Sequence, residues 1–418
     1  MKTTINHTQQ LDFISAYKRL RKVVKQTPLT FNYNLSKKYN CNVFLKREDL
    51  QIVRSYKLRG AYNMMSNLSK EQMERGVVCA SAGNHAQGFA YCCKKLEIYG
   101  IVFMPVITSK QKINQTKMFG DDFIEIQLIG DTFDDCSQAA KEYAEELNLN
   151  FIPPFDDYRI IEGQGTVGVE ILDEKNDIDY LFIPVGGGGL CAGVGSYFKT
   201  FSPHTAIIGA EPEGAPSMLK ALKHGSPVTL HNIDCFVDGA AVKRVGDLTF
   251  SICNDVLDEM HLVPEGKLCT TILKMYNEEA IVVEPAGALS IAALDDYSER
   301  IKGKNVVCII SGSNNDIDRM QEIKERSFQY EGLKHYFLIN FAQRPGALKE
   351  FANNILGPTD DITRFEYIKK NNKENGPALV GIELQNRSDY DLLLAKMKES
   401  KFGYAEVNKT DPLFGYLV

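Results

Sequence analysis

Lys57 lies among apolar and aromatic neighbours in the stretch LKREDLQIVRSYKLRGAY (Leu45 to Tyr62), and chemistry can start from it. Burial destabilises an ammonium relative to the neutral amine, so a lysine held near apolar walls becomes a usable nucleophile near neutral pH. The same surroundings suit a half-buried lysine whose stem only covers apolar surface. The setting favours chemistry: a strand, a polar turn, then Ser55, Lys57 and Gly60 at a helix start.

Three further stretches have the composition of ligand sites. SAGNHAQG (Ser81 to Gly88) follows an apolar run and opens a helix. Free N–H groups at a helix start bind carboxylates or phosphates, and the small Ala82 and Gly83 let a ligand approach the backbone. The Asn84 amide can donate to a ring oxygen, whereas a histidine such as His85, taken alone, is more often structural. In PVGGGGL (Pro184 to Leu190) a buried strand runs into four glycines, which act either as a flexible turn or as an anion nest of successive N–H groups. It is neither a dinucleotide fingerprint nor a Walker loop, because the spacing is wrong and no Lys-Ser or Lys-Thr follows. In CIISGSNND (Cys308 to Asp316) Ser311 sits at the carboxyl end of a strand, a plain turn or the place where open α/β sheets hold ligands. Glu284 in VEPAGA is either a carboxylate behind a cofactor or a helix N-terminal residue.

The elements that must position these residues alternate. Strand-like runs at 42–46, 77–81, 101–106, 123–129, 180–185, 206–210 and 305–310 are separated by helix-like segments at 84–95, 132–147, 166–174 and 267–279. This order predicts an α/β fold with parallel sheets, and the runs that are apolar throughout predict strands covered on both faces. A polar stretch, 319–332, reads as a connector. After it the order is βαββαβ, a ferredoxin-like α+β domain, with a polar turn KNNKENGP between its second and third strands.

The chain has 418 residues, enough for about three globular units. Its net charge of −6 argues against a nucleic-acid or anionic-membrane partner. The most apolar stretch, 180–198, is broken by Pro184 and the glycines, so no membrane span is expected. The first ten residues, MKTTINHTQQ, have no apolar signal core. Ten cysteines at irregular spacing, with no Cys-x-x-Cys, predict reduced thiols and a cytoplasmic chain.

Together the four stretches resemble the fold-type II pyridoxal-phosphate enzymes, two-lobed like the tryptophan synthase β chain. They are most similar to the threonine dehydratases (threonine ammonia-lyases) of the short biosynthetic form with one ACT-like domain. The resemblance covers about 15–325, and the tail is similar to that regulatory domain. It implies a catalytic domain over 1–325 with a small lobe at about 50–150, a linker over 326–334 and an ACT-like domain over 335–410. By position, Lys57 is similar to the lysine that holds pyridoxal phosphate covalently and then takes the substrate α-proton. Asn84 matches the partner of the 3′-oxygen, Gly186, Gly187, Gly188, Gly189 and Leu190 the phosphate cradle, and Ser311 the partner of the pyridine nitrogen. The backbone of Ser81, Ala82, Gly83, Asn84 and His85 matches the clamp on the substrate carboxylate.

The implied reaction is deamination of L-threonine to 2-oxobutanoate and ammonia, the first step of isoleucine biosynthesis, with L-serine as a secondary substrate. The βαββαβ tail reads either as a dimerisation module or as an effector site, in which Arg344, Pro345 and Gly346 lie between a strand and a helix start, where backbone N–H groups hold an amino-acid carboxylate. The resemblance implies a homotetramer, with isoleucine as inhibitor and valine opposing it. The alternatives are a serine or catabolic threonine dehydratase and a non-catalytic amino-acid sensor. In the similar serine racemase pattern a serine stands where this chain has Ala82, so elimination is favoured over racemisation. Glu211 and the carbonyl of Ala215 match a metal-binding pattern of relatives, but Ser217 stands where that pattern has an acid, and no metal is assigned. The segment 108–120 is read as a loop that takes part in closure of the small lobe.

Overall fold

The computed structural model describes residues 11–369, 373–407 and 417, and the chain divides into two compact units, Met1–Asp316 and Ile317–Val418. The polar start MKTTINHTQQ, part of the KNNKENGP turn and residues 408–410 lie outside the described residues.

The first unit is threaded as one lobe inside another. Strands β1 (Leu29–Asn32) and β2 (Asn42–Arg47) begin a sheet, and the chain then leaves to build a second one from β3 (Val77–Ala80), β4 (Gly100–Met104), β5 (Ile124–Leu128) and β6 (Asn150–Phe151). It returns with β7 (Tyr180–Pro184), β8 (Ala206–Pro212), β9 (Glu259–Val263) and β10 (Asn305–Ile310). The larger sheet has the order β1-β2-β10-β7-β8-β9, parallel except for the β1–β2 pair, and the smaller has the order β5-β4-β3-β6, parallel throughout.

The period of two explains why these strands read as unbroken apolar runs. Val77, Cys79, Val102 and Met104 enter a core with Phe89, while Val78, Ala80, Ile101 and Phe103 enter another with Cys136 and Ala140 on the opposite face. Under the larger sheet Ile183, Val185, Leu190, Val194, Phe198 and Ile309 form a third core.

A buried set of charges pins the helix that begins at Lys57 (Lys57–Met65). Arg59 reaches Glu48 at 2.8 Å and Glu170 at 2.7 Å, and Lys46 reaches Glu170 at 2.7 Å. All four side chains are buried, so two cations and two carboxylates balance where no water can screen them. They join this helix to β2, to the turn that follows β2 and to helix Tyr158–Glu174.

Helix Tyr158–Glu174 begins eight residues before the start expected from sequence, which was 166. Gly163 and Gly165 hide the pattern there, and packing requires them. A Cβ on Gly163 would lie 2.5 Å from the Arg59 carbonyl oxygen, and one on Gly165 would lie 2.2 Å from the Phe13 ring. The segment expected as a loop at 108–120 is instead helix Lys110–Gly120, with Ser109 accepting from the Lys112 N–H. Its face is mostly polar, burying only Thr116 and Gly120, so periodicity gave no signal.

The second unit holds an antiparallel sheet of order β12-β13-β11-β14, made of β11 (Lys334–Ala342), β12 (Asp361–Tyr367), β13 (Asn375–Glu383) and β14 (Gly403–Val407). Helices Ala347–Asn354 and Asp389–Glu399 complete the βαββαβ order around Phe337, Ile339, Phe351, Val380 and Leu393. The polar connector is helix Met320–Glu331, and it takes in most of the expected linker 326–334. Its polar residues pair within the helix, Arg326 with Glu322 at 2.9 Å and Gln329 with Glu325 at 3.2 Å. Gly332 ends it in the left-handed region at φ +69°.

Candidate active site

Lys57 reaches its place through a loop stitched to the end of β10. Tyr56 N–H donates to the Ser311 carbonyl at 3.1 Å, Ser313 N–H to the Arg54 carbonyl at 2.9 Å and the Asn314 side chain to the Val53 carbonyl at 2.9 Å. Two stretches more than 250 residues apart are thereby held side by side. The half-buried Lys57 amine donates to the Pro154 carbonyl at 2.9 Å. Burial pushes its pKa down to about 8, with the Glu284 carboxylate acting in the opposite direction.

Ser81 follows β3, and its hydroxyl accepts from the Gly83 N–H at 3.2 Å, closing the turn before helix Asn84–Leu96. A Cβ built on Gly83 meets nothing within 4 Å, so this turn borders open space. Ala82, Gly83 and Asn84 are half-buried and His85 is buried. The His85 Nε2 lies 2.9 Å from the Ile152 carbonyl, and burial, then the Lys57 charge, hold its pKa near 3. Its neutral ring is thus a strut against the chain after β6, and only its backbone faces the turn.

Asn84 anchors a chain of side chains. Its amide donates to Glu284 Oε1 at 2.7 Å, and its oxygen accepts from Asn314 at 2.6 Å. Burial, then the nearby Asp238 carboxylate, push the Glu284 carboxyl up to about 7.

The glycine run joins β7 to helix Gly189–Phe201 and is packed from below. A Cβ on Gly187 would lie 2.3 Å from the Phe155 ring, one on Gly189 2.9 Å from Phe155 Cβ, and one on Gly186 2.8 Å from Ala240 Cα. Gly188 has φ +94°, open to glycine alone without strain, and a Cβ there would lie 2.8 Å from Met218 Cε. Thr249 Oγ1 donates to the Gly187 carbonyl at 2.6 Å, leaving the N–H side of the loop to the site. Leu190, in the first turn of the helix, is buried.

Sequence reasoning missed the segment that gathers these parts, residues 152–156. The Ile152 carbonyl meets His85, the Pro154 carbonyl meets Lys57, Phe155 underlies Gly187 and Gly189, and Asp156 accepts from the Thr249 N–H at 3.0 Å. Three of these contacts are made by backbone or by ring packing, so only the consecutive prolines of IPPFD could have hinted at them.

Residues 20–312 match the family described as pyridoxal-phosphate dependent enzyme, and residues 325–417 match the C-terminal regulatory domain of threonine dehydratase. The chain is 59% identical over 409 residues to the L-threonine dehydratase biosynthetic IlvA of Bacillus subtilis, covering 97% of this chain and 96% of that protein. It is 57% identical over 408 residues to the protein of the same name from Halalkalibacterium halodurans, covering 97% and 98%. The chain belongs to the threonine dehydratase branch of the pyridoxal-phosphate-dependent enzymes. Among solved structures, the processed threonine deaminase isoform 2 of Solanum lycopersicum is 42% identical with a TM-score of 0.73, covering 77% of this chain and 94% of that one. The serine racemase of Dictyostelium discoideum is 30% identical with a TM-score of 0.67, covering 73% and 98%.

The residues present fit the cofactor of this family. Lys57 supplies an amine of lowered basicity, the glycine run a cradle with no room for side chains, and Ser311 a buried hydroxyl at the end of β10. Two buried polar atoms, Ser55 Oγ and Asn314 Oδ1, have no protein partner beside the site.

The metal pattern of relatives is filled differently in this dehydratase. Glu211 is buried and accepts the N–H groups of Met218 at 2.7 Å and Leu219 at 3.1 Å. Burial raises its pKa to about 8, and the Ser217 hydroxyl donates to the Val242 carbonyl. Among the described residues no group of three or more His, Cys, Asp or Glu could hold a metal ion, and no helix is long and apolar enough to cross a membrane.

Proposed function

We infer that the chain is a pyridoxal-phosphate-dependent L-threonine dehydratase that converts L-threonine to 2-oxobutanoate and ammonia, the committed step toward isoleucine. One observation carries the reading: an amine of lowered pKa, Lys57, stands beside the Ser311 backbone, the Asn84 helix start and the Phe155-backed glycine run. When bound, the cofactor supplies an acceptor for the electrons released at the substrate α-carbon.

The protein's own residues do the rest. Lys57 is the covalent anchor and then, as a free amine, the base for the α-proton; a pKa of about 8 leaves a usable neutral fraction near pH 7. Gly186 to Gly189 and Leu190 would hold the phosphate, Asn84 would donate to the 3′-oxygen, and Ser311 would offer the ring nitrogen a neutral hydroxyl. The Ser81–His85 backbone binds the substrate carboxylate. The Ala82 methyl cannot carry a proton, which supports elimination over the racemisation named for the Dictyostelium relative.

Serine differs from threonine by one methyl group, worth about 1–3 kcal/mol of discrimination, so it is a secondary substrate. The catalytic domain spans 1–325 and the effector-binding domain 335–410, with isoleucine and valine as effectors. The assembly is a cytoplasmic homotetramer, as the family resemblance supports.

The test is 2-oxo acid formation from threonine and from serine, with and without isoleucine, on the yellow holoenzyme. Borohydride trapping followed by peptide mapping locates the anchor, and a reduced adduct at any lysine other than Lys57 overturns the assignment.

A further inference from the structure

Two of the helices that flank the smaller sheet each reach the larger lobe through an ion pair. Lys112, on helix Lys110–Gly120, pairs with Asp238, in the segment between helices Ser217–His224 and Asp247–Val256. Lys243 pairs with Asp134 at 2.7 Å, in the first turn of helix Phe133–Glu146. These two helices cover opposite faces of the smaller sheet. Ile113 and Phe119 pack into the core around Phe89, whereas Cys136 and Ala140 join the core around Phe103.

The Lys112 pair lies on a path between two parts of the site. Gln87, at the end of the first turn of the helix that opens at Asn84, is buried and donates to the Gln115 side chain at 3.1 Å. Gln115 stands three residues beyond Lys112 on the same helix face. On the other side Gly239 follows Asp238, and a Cβ on it would lie 3.7 Å from Glu284 Oε1. The next residue, Ala240, backs the glycine run, its Cα 2.8 Å from where a Gly186 Cβ would lie. The Ala240 and Ala241 N–H groups both donate to the Val237 carbonyl, at 2.8 and 2.7 Å, so this segment is a closed turn. Burial dominates the raised Glu284 pKa; after it the Asp238 carboxylate acts upward and the Lys112 ammonium downward, which puts both charges near the Asn84–Glu284 bond.

We propose that Lys112 and Asp238 are a positioning pair for the reaction, which ties the Ser81–His85 turn to the glycine run so that the two hold opposite ends of the space for substrate and cofactor. The tie runs from the turn through Gln87 and Gln115 to Lys112, and from Asp238 through Ala240 to Gly186. The proposal rests on reading Ser81–His85 as the carboxylate-binding turn and Gly186–Leu190 as the phosphate cradle. With the Lys112 side chain 24% and the Asp238 side chain 39% exposed, the pair is screened by water and is worth at most about fivefold in an equilibrium. Its loss therefore loosens the turn without unfolding the chain. Bound substrate and transition state need the turn in place equally, so the loss falls on KM and spares kcat.

The test is a double-mutant cycle on the full-length holoenzyme with K112M, D238N and the two combined. KM for L-threonine rises about three- to fivefold in each single variant, kcat stays within about twofold, and the combination is no worse than either alone. K112R, which keeps the charge, restores most of the loss. K243M breaks the other pair, on the far face of the sheet, and leaves KM unchanged. Hydrogen exchange on the same proteins without substrate reads the tie independently of turnover: residues 84–87, 110–120 and 237–241 exchange faster in K112M and D238N but not in K243M. The proposal fails if D238N lowers KM, as a freed Lys112 charge drawing in the carboxylate directly would make it do. It fails equally if the single losses add in the combination, or if K243M matches K112M in KM or in exchange. Wild-type holoenzyme that does not turn over threonine overturns the reading of the site, and the exchange pattern then still decides whether the pair ties the two segments.

Discussion

At Lys57 the free amine has a depressed pKa, and its consequence for pH can be measured. Below about 8 the group is mostly ammonium, so capture of added cofactor by the apoprotein rises with pH up to about 8 and is flat beyond. A lysine in water would keep rising to its ordinary 10.5, and that profile in an absorbance stopped-flow series would contradict the assigned environment. Lys57→Ala removes anchor and base together, and turnover above a few per cent of wild type, on the order of a hundredfold loss for a base alone, is not expected. Glu284 titrates in the opposite sense. Its folded pKa is raised from 4.5 to about 7, so the native state binds more protons than the unfolded chain across that window. Stability from this group is therefore present at low pH and lost as pH rises through about 7. The unfolding free energy from denaturant titration should fall between pH 5 and pH 8 by on the order of 1–3 kcal/mol more for wild type than for Glu284→Gln. Equal changes in both proteins would show the carboxyl to be in ordinary surroundings.

Among the elements, the helix that begins at Lys57 depends on the buried charges behind it. Arg59→Met leaves Glu48 and Glu170 facing Lys46 alone and should cost about 3–5 kcal/mol in chemical denaturation. The glycine run depends on Phe155, so Gly187→Ala, whose Cβ would lie 2.3 Å from that ring, should release cofactor on dialysis that wild type retains. Local chemistry governs how legible such elements were. Strands β3, β4, β7 and β10 are readable because burial on both faces makes them continuously apolar, and Asn84, the glycines and Ser311 stand out as candidates because each follows one of them, whereas Lys57 follows the half-buried β2 and a turn. The first half of helix Tyr158–Glu174 was not, since glycines needed for close approach to Arg59 and Phe13 erase the helical pattern. Helix Lys110–Gly120 has too little apolar face to show. The segment at 152–156 acts mainly through carbonyl oxygens and one ring, which no side-chain motif encodes.

For the whole molecule, the two units make separable predictions. A chain ending at Tyr330 keeps the complete first unit and should turn over threonine within about twofold of wild type while ignoring isoleucine, since surface truncations away from a core are well tolerated. Loss of turnover in a folded truncation would mean that catalysis needs the tail. The nesting of one lobe within the other has a further consequence during synthesis. The guest lobe's strands, 77–151, leave the ribosome together and can form a unit early. Its host must hold β2 without its parallel neighbour β10 until residues 305–310 emerge. A nascent chain stalled before residue 305 thus carries Lys57 and the glycine run without the strand that brings Ser311 beside them, so on the proposed site B6 is held only once residues 305–311 have emerged.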